Sequence, residues 1–233
     1  MLGGSVYIAF IRFAISLAGT IALFSLLAQS RFGRKKTVVC YSCFSVVLLI
    51  LACVWYVADW ESCTRMVAFV MYLCFALFAV LMSRDSLYLT VYKLALVFYL
   101  LAIFLVGALE ISILFFDRNV WADIVARIGL IGLIAFLLNK YVRKTVKDFG
   151  DYVESEADKF SVAVMIICIL LGIGYILNPG LNKEMTFHRI YQILMNFFLT
   201  GTLQLLIFHF YLHIGKEKEY ERENQLIQMN YRL

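Results

Sequence analysis

The hydrophobic positions of this chain fall in long, nearly uninterrupted runs that are separated by short polar segments. Seven runs approach the length that a helix needs to cross about 30 Å of hydrocarbon at about 1.5 Å per residue. Lipid offers no hydrogen-bond partner to backbone N–H and C=O groups, so each run is expected to form a helix, which pairs these groups internally. Strands of a membrane barrel would alternate apolar and polar residues, and these runs do not. The pattern predicts an all-α polytopic membrane bundle of seven spans. These spans are residues 5–28, 37–58, 66–83, 94–116, 120–140, 160–178 and 189–213.

The amino-acid composition agrees with this pattern. Hydrophobic residues make up 63% of the chain and charged residues 16%, and the mean hydropathy is +0.86. Because a soluble domain carries about 25% charged residues, these values exclude a soluble enzyme, a secreted disulfide scaffold and a disordered chain. The lipid bilayer is the first expected partner. Five of the six cysteines lie inside apolar runs, where a thiol behaves as a small hydrophobe, and only Cys63 falls in a predicted loop.

The lysines and arginines predict the orientation of the chain. With the N-terminus outside and the C-terminus in the cytoplasm, 15 of the 21 basic residues fall on the inside, as the positive-inside rule requires. Because these charges lie in short runs between spans, they indicate orientation and not a nucleic-acid partner. The inside residues are Arg31, Arg34, Lys35, Lys36, Arg84, Lys93, Lys140, Arg143, Lys144, Lys147, Lys159, Lys216, Lys218, Arg222 and Arg232.

Two ionisable residues of opposite sign lie inside predicted spans. Arg12 in the first span and Glu110 in the fourth are each about 10 Å from the outer end of their helix. A charge in hydrocarbon costs at least a few kcal/mol, so we expect the two side chains to pair. Two interpretations remain open: the pair is a structural link between helices one and four, or it forms the floor of an outward-facing pocket.

Further polar residues lie near the outer ends of the fifth and seventh spans. Asp123 and Arg127 are spaced i, i+4 and would add a polar wall to such a pocket, although this spacing is also common on helix surfaces. His188 lies between Glu184 and Arg189 at the mouth of span seven, where it would form the rim or simply contact water. The candidate residues for ligand binding or helix pairing are Arg12, Glu110, Asp123, Arg127 and His188.

Metal binding and catalysis have little support in the sequence. His209 and His213 are spaced i, i+4, as two ligands of one metal can be, but no acidic residue separates them and no third ligand is evident. We interpret them as interfacial histidines, and we expect no metal, no cofactor and no catalytic residue. Gly129 and Gly132 predict a close approach between helices.

The composition changes abruptly after His213, where the charged segment GKEKEYERENQLIQMNYRL begins. We divide the chain into a transmembrane domain of residues 1–214 and the start of a cytoplasmic linker helix, residues 215–233. Leu226, Met229 and Leu233 follow a, d, a spacing, which is the beginning of a coiled-coil seam. The spacing predicts a homodimer that pairs through this helix.

The last span and the charged helix, QLLIFHFYLHIG followed by KEKEYERENQLIQMNYRL, resemble a known family. They are similar to the input region of sensor histidine kinases with a GHKL-type ATPase domain, in particular the AgrC-like peptide-pheromone receptors of Gram-positive bacteria. The specific likeness covers about the last thirty residues. It implies a bacterial plasma-membrane sensor in a two-component, quorum-sensing system. The phosphoacceptor and ATP-binding residues of that family do not occur in this chain, so kinase activity is not carried over.

These observations lead to one expectation and one alternative. The expectation is a sensor module that binds a small-molecule or peptide signal at its outer mouth, since the predicted outer loops are too short to grip a folded protein. The signal would change helix packing and be relayed to the cytoplasm. The alternative is a small transporter or intramembrane enzyme with Arg12 and Glu110, or the two histidines, at its polar centre. The candidate relay residues are His209, His213, Leu226, Met229 and Leu233.

Overall fold

The computed structural model describes residues 6–117, 119–143 and 187–231, and in these residues all regular secondary structure is helical. Helix α5 ends in a short π-helical turn, Leu138–Val142. The predicted all-α fold is confirmed for this part of the chain, whereas the sixth predicted span, 160–178, lies outside it. The helices are α1 (Val6–Leu27), α2 (Arg34–Ala58), α3 (Trp60–Met82), α4 (Leu87–Phe115), α5 (Val120–Leu137) and α6 (Phe187–Tyr231).

Four segments of the described residues are long and apolar enough to cross a membrane. They agree with the first, second, fourth and fifth predicted spans. Helix α3 contributes a shorter apolar segment, Val70–Met82, where the third span was predicted. The number of seven spans and the direction of insertion remain predictions. The four segments are Val6–Leu27, Lys35–Ala58, Leu89–Phe115 and Val120–Val142.

Short capped turns set the beginnings of three helices. The side chain of Asp59 accepts a hydrogen bond from the backbone N–H of Ser62 at the start of α3. Ser86 caps α4 and Asn119 caps α5 in the same way. Asp117, with φ of 46°, turns the chain between α4 and α5. Each of these helices begins within a few residues of the end of the helix before it, so the consecutive helices from α2 to α5 run antiparallel.

Backbone hydrogen bonds between two loops identify one end of the bundle. The N–H of Arg31 donates to the carbonyl of Met82 at 3.0 Å, and the N–H of Arg84 donates to the carbonyl of Gln29 at 2.8 Å. Helix α5 runs parallel to α1 and therefore finishes at this same end. We call it the basic end, because its loops and helix ends carry Arg31, Arg34, Lys35, Lys36, Arg84, Lys140 and Arg143. The opposite end, with the turns at residues 59, 116–117 and 119, is the far end.

Helix α4 forms the centre of the bundle. Half of the most apolar segment of α4 is buried, whereas 11% of the corresponding segment is buried in α2 and in α5. The outer faces of α2 and α5 expose large apolar side chains, which suits contact with lipid. Aromatic rings connect the helices around it: Phe24 meets Phe75 edge to face at 5.6 Å, and Tyr72 packs against Phe98 at 4.6 Å. The fully buried side chains include Leu23, Phe24, Leu27, Phe75, Leu89, Tyr92, Lys93, Val97 and Phe104.

A glycine permits the close contact between α1 and α5. A Cβ atom at Gly19 would lie 2.7 Å from the Cδ1 atom of Ile131, so a larger residue here would require the Ile131 side chain or the two helices to move. The predicted close approach at Gly129 and Gly132 is not found, because no atom of the described residues comes within 4 Å of a Cβ placed there. Both face outward, and Gly19 on the neighbouring helix supplies the space instead.

Helix α6 is a single 45-residue helix, which corresponds to a length of about 67 Å. About a third of the way along the helix, a Cβ atom at Gly201 would lie 2.6 Å from the hydroxyl oxygen of Tyr99, and Thr200 and Gln204 are buried beside it. The helix continues without a break from the apolar segment into the charged segment. The predicted boundary at residue 214 is therefore a change of composition within one helix.

Candidate functional site

Three charged side chains meet between α1 and α5 at the far end, and we call them the charge triad: Arg12, Asp123 and Arg127. The Nε atom of Arg12 lies 2.9 Å from Oδ2 of Asp123, and the Nε atom of Arg127 lies 3.0 Å from the same oxygen. The Asp123 side chain is fully buried, whereas the arginines keep 18% and 12% of their side chains exposed. One carboxylate facing two guanidinium groups gives the triad a formal charge of +1.

Local sequence places each member of the triad. Asp123 lies in the first turn of α5, where a negative charge is favoured by the helix dipole, and Arg127 follows one turn later on the same face. The Ser16 hydroxyl connects the two helices, since it accepts a hydrogen bond from Nη1 of Arg127 at 3.3 Å and donates to the carbonyl of Arg12 at 2.8 Å. Gly19 lies two turns beyond Arg12 on α1 and lets the two helices approach closely enough for these contacts.

Several polar atoms of the triad make no hydrogen bond. Among the described residues, the buried atoms Nε and Nη2 of Arg12 and Oδ1 of Asp123 have no hydrogen-bond partner. The Nε atom thus contacts the carboxylate as an ion pair without hydrogen-bond geometry. Buried polar atoms are usually paired, and leaving one unpaired costs about 1–3 kcal/mol or more when it is charged. The triad therefore retains both donor and acceptor capacity beside its surplus positive charge.

The structure gives Arg12 a partner that the sequence does not predict. Both ion pairs of the triad involve Asp123, for which the sequence predicts a place in a pocket wall, and Glu110 lies half-buried on α4. The contact between Arg12 and Asp123 links α1 to α5, and the pairing of Arg12 with Glu110 stays a prediction. His188 is the second residue of α6, but its side chain lies outside the described part of the structure, as does Glu184.

The predicted relay residues lie on α6, away from the triad. His209 and His213 are exposed, and Nδ1 of His213 lies 3.9 Å from a carboxylate oxygen of Glu217. Leu226 and Met229 are also exposed, by 57% and 56%, on the charged half of the helix, and Leu233 lies beyond the described residues. No group of three or more metal-ligating side chains occurs in the described ranges.

A second buried ion pair, which sequence reasoning missed, lies at the basic end. The Nζ atom of Lys93 is 2.7 Å from Oδ2 of Asp85, and these side chains are 0% and 5% exposed. The same oxygen accepts hydrogen bonds from the N–H of Gln29 and the hydroxyl of Ser83, both at 3.3 Å, and Thr90 donates to Ser83. This loop cluster ties the α1–α2 loop to the α3–α4 loop.

The sequence contained a signal for the loop cluster. The apolar run that begins at residue 94 predicts a loop position for Lys93, but α4 begins at Leu87 and carries Lys93 inside its second turn. Asp85 lies in the α3–α4 loop just before this helix, and the Lys93 side chain points back towards the start of the helix and reaches it.

The sequence also predicts a loop position for Cys63, whereas this residue is fully buried in the first turn of α3, where its Sγ contacts the carbonyl of Ala52.

Comparison of the chain with protein-family models, with curated proteins and with solved structures finds no match. The function is therefore inferred from the charge triad, the loop cluster and α6.

Proposed function

We propose that this chain is the membrane-embedded input module of a sensor, which binds an extracellular small-molecule or peptide signal near the charge triad and relays it along α6. In this proposal the far end faces outward and the basic end faces the cytoplasm, in keeping with the positive-inside rule. The observation that carries the proposal is the continuity of α6. A single helix leads from a packed contact inside the bundle to a charged segment well beyond it.

Such a helix transmits displacement because it is stiff along its axis. Gly201 packs against the Tyr99 hydroxyl, so a change in the packing around α4 acts directly on α6. At the other end, Leu226 and Met229 expose apolar surface within the charged segment of the helix. Exposed apolar residues at a and d spacing support pairing of two copies. The proposed output is therefore a change in the geometry of a homodimeric helix pair.

The charge triad supplies an element with two states. Its surplus positive charge and its unpaired buried atoms leave the contact between α1 and α5 incompletely stabilised. A signal molecule with an anionic or hydrogen-bonding group would stabilise one arrangement of the two helices over another. If the binding free energy of the signal molecule differs by about 1–3 kcal/mol between the two arrangements, the output changes noticeably.

The proposed parent is a bacterial two-component sensor histidine kinase of the peptide-pheromone receptor type, in the plasma membrane. Its support is the resemblance of the last span and the charged helix to that family. In this proposal the chain itself contributes no catalytic residue, and the kinase domain belongs to the full-length protein. The alternative of a transporter is less well supported, because the two buried charge clusters lie at opposite ends of the bundle and not together near mid-depth, where transporter sites lie.

A kinase chimera tests the proposal. Residues 1–231 are joined in heptad register to the dimeric catalytic region of a characterised sensor histidine kinase, and autophosphorylation is measured in nanodiscs. We expect Asp123→Asn to change the rate at least about fivefold, which corresponds to the lower limit of typical coupling. Arg143→Gln, an exposed arginine at the basic end, is the matched control and leaves the rate unchanged. Equal rates for Asp123→Asn and the native chain would refute signalling through the triad.

Cysteine cross-linking tests the proposed dimer. Met229→Cys places a thiol on the a/d seam, and Ile227→Cys places one at a similarly exposed position off the seam. In membranes under mild oxidation, we expect Met229→Cys to form disulfide-linked dimers well above the background of the native cysteines. Ile227→Cys should remain near that background. Equal cross-linking at both positions would show that copies of the chain collide at random and do not pair through the a/d seam, and the homodimer proposal would fail.

A further inference from the structure

A groove of about 340 Å³ opens at the basic end, along the first two turns of α2. It is lined by Phe32, Lys35, Lys36, Val39 and Cys40. The exposed lining is apolar throughout, so the two lysines contribute their methylene stems to it and not their ammonium groups. The groove thus has an apolar interior and two cationic groups at its edge.

The charges at this edge are not neutralised by neighbouring side chains. Among the described residues, no ion pair involves Lys35 or Lys36, and the first turn of α2 contains no acidic residue. Exposed Arg31 and Arg84 lie in the paired loops at the same end and add to the positive charge. An occupant with negative charge would therefore complement the edge of the groove.

The position of the groove defines the rest of the occupant. The membrane-spanning segment of α2 begins at Lys35, so the lysines lie where the apolar helix meets the polar loop. Val39 lies one turn further into the span, and both it and Phe32 are exposed. An occupant must therefore be anionic at the level of the lysines and apolar beside Val39 and Cys40. A free anion matches only the first of these requirements.

We propose that this groove binds one anionic phospholipid of the bilayer, with its phosphate at Lys35 and Lys36 and the upper part of an acyl chain along Phe32, Val39 and Cys40. Basic groups between or beside helices at the cytoplasmic side are a known physical basis for binding such headgroups. The loop that carries Phe32 is held by the loop cluster, which fixes one wall of the groove. This proposal is independent of the sensor function.

Cys40 provides a reporter within the groove, and Cys43, exposed on the same helix, provides an internal control. The full chain in neutral detergent is titrated with dioleoyl phosphatidylglycerol, and alkylation of each thiol by N-ethylmaleimide is followed by mass spectrometry. We expect phosphatidylglycerol to slow alkylation of Cys40 and to leave Cys43 unchanged. Dioleoyl phosphatidylcholine should give no such protection. Equal protection by both lipids would overturn the proposal.

Two variants and a free anion complete the experiment. The double variant Lys35→Gln/Lys36→Gln should need at least about tenfold more phosphatidylglycerol for half-protection of Cys40, since two lysines near an anionic surface contribute at least that much. Lys35→Arg/Lys36→Arg keeps the charge and should keep the protection, which separates loss of charge from loss of folding. Inorganic phosphate should not protect Cys40. Protection by phosphate alone, or unchanged protection in the glutamine variant, would contradict lipid binding here.

Discussion

The charge triad and the loop cluster are both buried charged sites, but they differ in how completely their charges and polar atoms are paired. In the loop cluster one ammonium group faces one carboxylate, and Asp85 receives further hydrogen bonds from Gln29 and Ser83. In the triad two guanidinium groups share one carboxylate oxygen, and Arg12 and Asp123 retain unpaired atoms among the described contacts. The first arrangement is typical of a structural link, whereas the second leaves room for a change of partner.

This difference has a physical cause in the helices that carry the groups. The loop cluster joins two loops that are already fixed by backbone hydrogen bonds, so its geometry is set before the side chains pair. The triad joins the sides of α1 and α5, and the ion pair and hydrogen bond described between these helices at this level are made by side chains. Such a contact can shift by small movements of whole helices. In our proposal, stability and signalling thus depend on opposite ends of the bundle.

The largest expected effect is the loss of the loop cluster. Lys93→Met leaves the Asp85 carboxylate buried without its cation, and we expect a loss of about 3–5 kcal/mol in the free energy of unfolding. Unfolding by SDS in mixed micelles measures it. The matched control is Lys140→Met, at an exposed lysine of the same end, with an effect of no more than about 0.5 kcal/mol. A loss at Lys93 as small as the control would show that the pair contributes little.

A smaller effect is expected at the contact between α1 and α5. Gly19→Val places methyl groups against Ile131, and we expect overpacking to cost about 1–3 kcal/mol in the same SDS titration. Ile131→Ala in the same chain should restore part of the loss by making space. Gly129→Val, where no described atom lies within 4 Å, is the control and should be tolerated. Equal losses at Gly19 and Gly129 would argue against close approach at Gly19.

The smallest effect on stability is expected at the triad itself. Arg12→Gln removes the surplus charge and leaves Arg127 paired with Asp123, so we expect the free energy of unfolding to change by less than about 1 kcal/mol in either direction. The contrast with Lys93→Met is the sharpest test of the difference between the two sites. A loss at Arg12 as large as that at Lys93 would show that the triad is a structural link.

Much of the fold follows from the sequence because lipid selects for long apolar helices. The first, second, fourth and fifth apolar runs predicted four helices to within a few residues, apart from the N-terminal end of α4. That helix begins seven residues before its apolar run, since a helix can continue into the polar boundary of the membrane. This is why Lys93 was assigned to a loop although it is a buried helical residue.

The candidate site followed from the sequence only in part. The depth of Arg12, Glu110 and Asp123 along their helices could be counted from residue numbers, but depth does not define the rotation of a helix about its axis. Rotation and neighbour choice depend on packing, here on Gly19 against Ile131. The sequence therefore identified the members of the triad but did not predict the ion pair between Arg12 and Asp123.

The most direct test of the account is the distance between two copies of α6 when the triad is altered. A spin label at Met229→Cys, in a chain whose native cysteines are replaced, is measured by pulsed electron spin resonance in nanodiscs. We predict that Asp123→Asn shifts the mean distance between labels by about 1–2 Å or more, as helix movements in signalling proteins do, while Arg143→Gln does not. Identical distance distributions in the native chain and in Asp123→Asn would contradict a connection between the charge triad and α6.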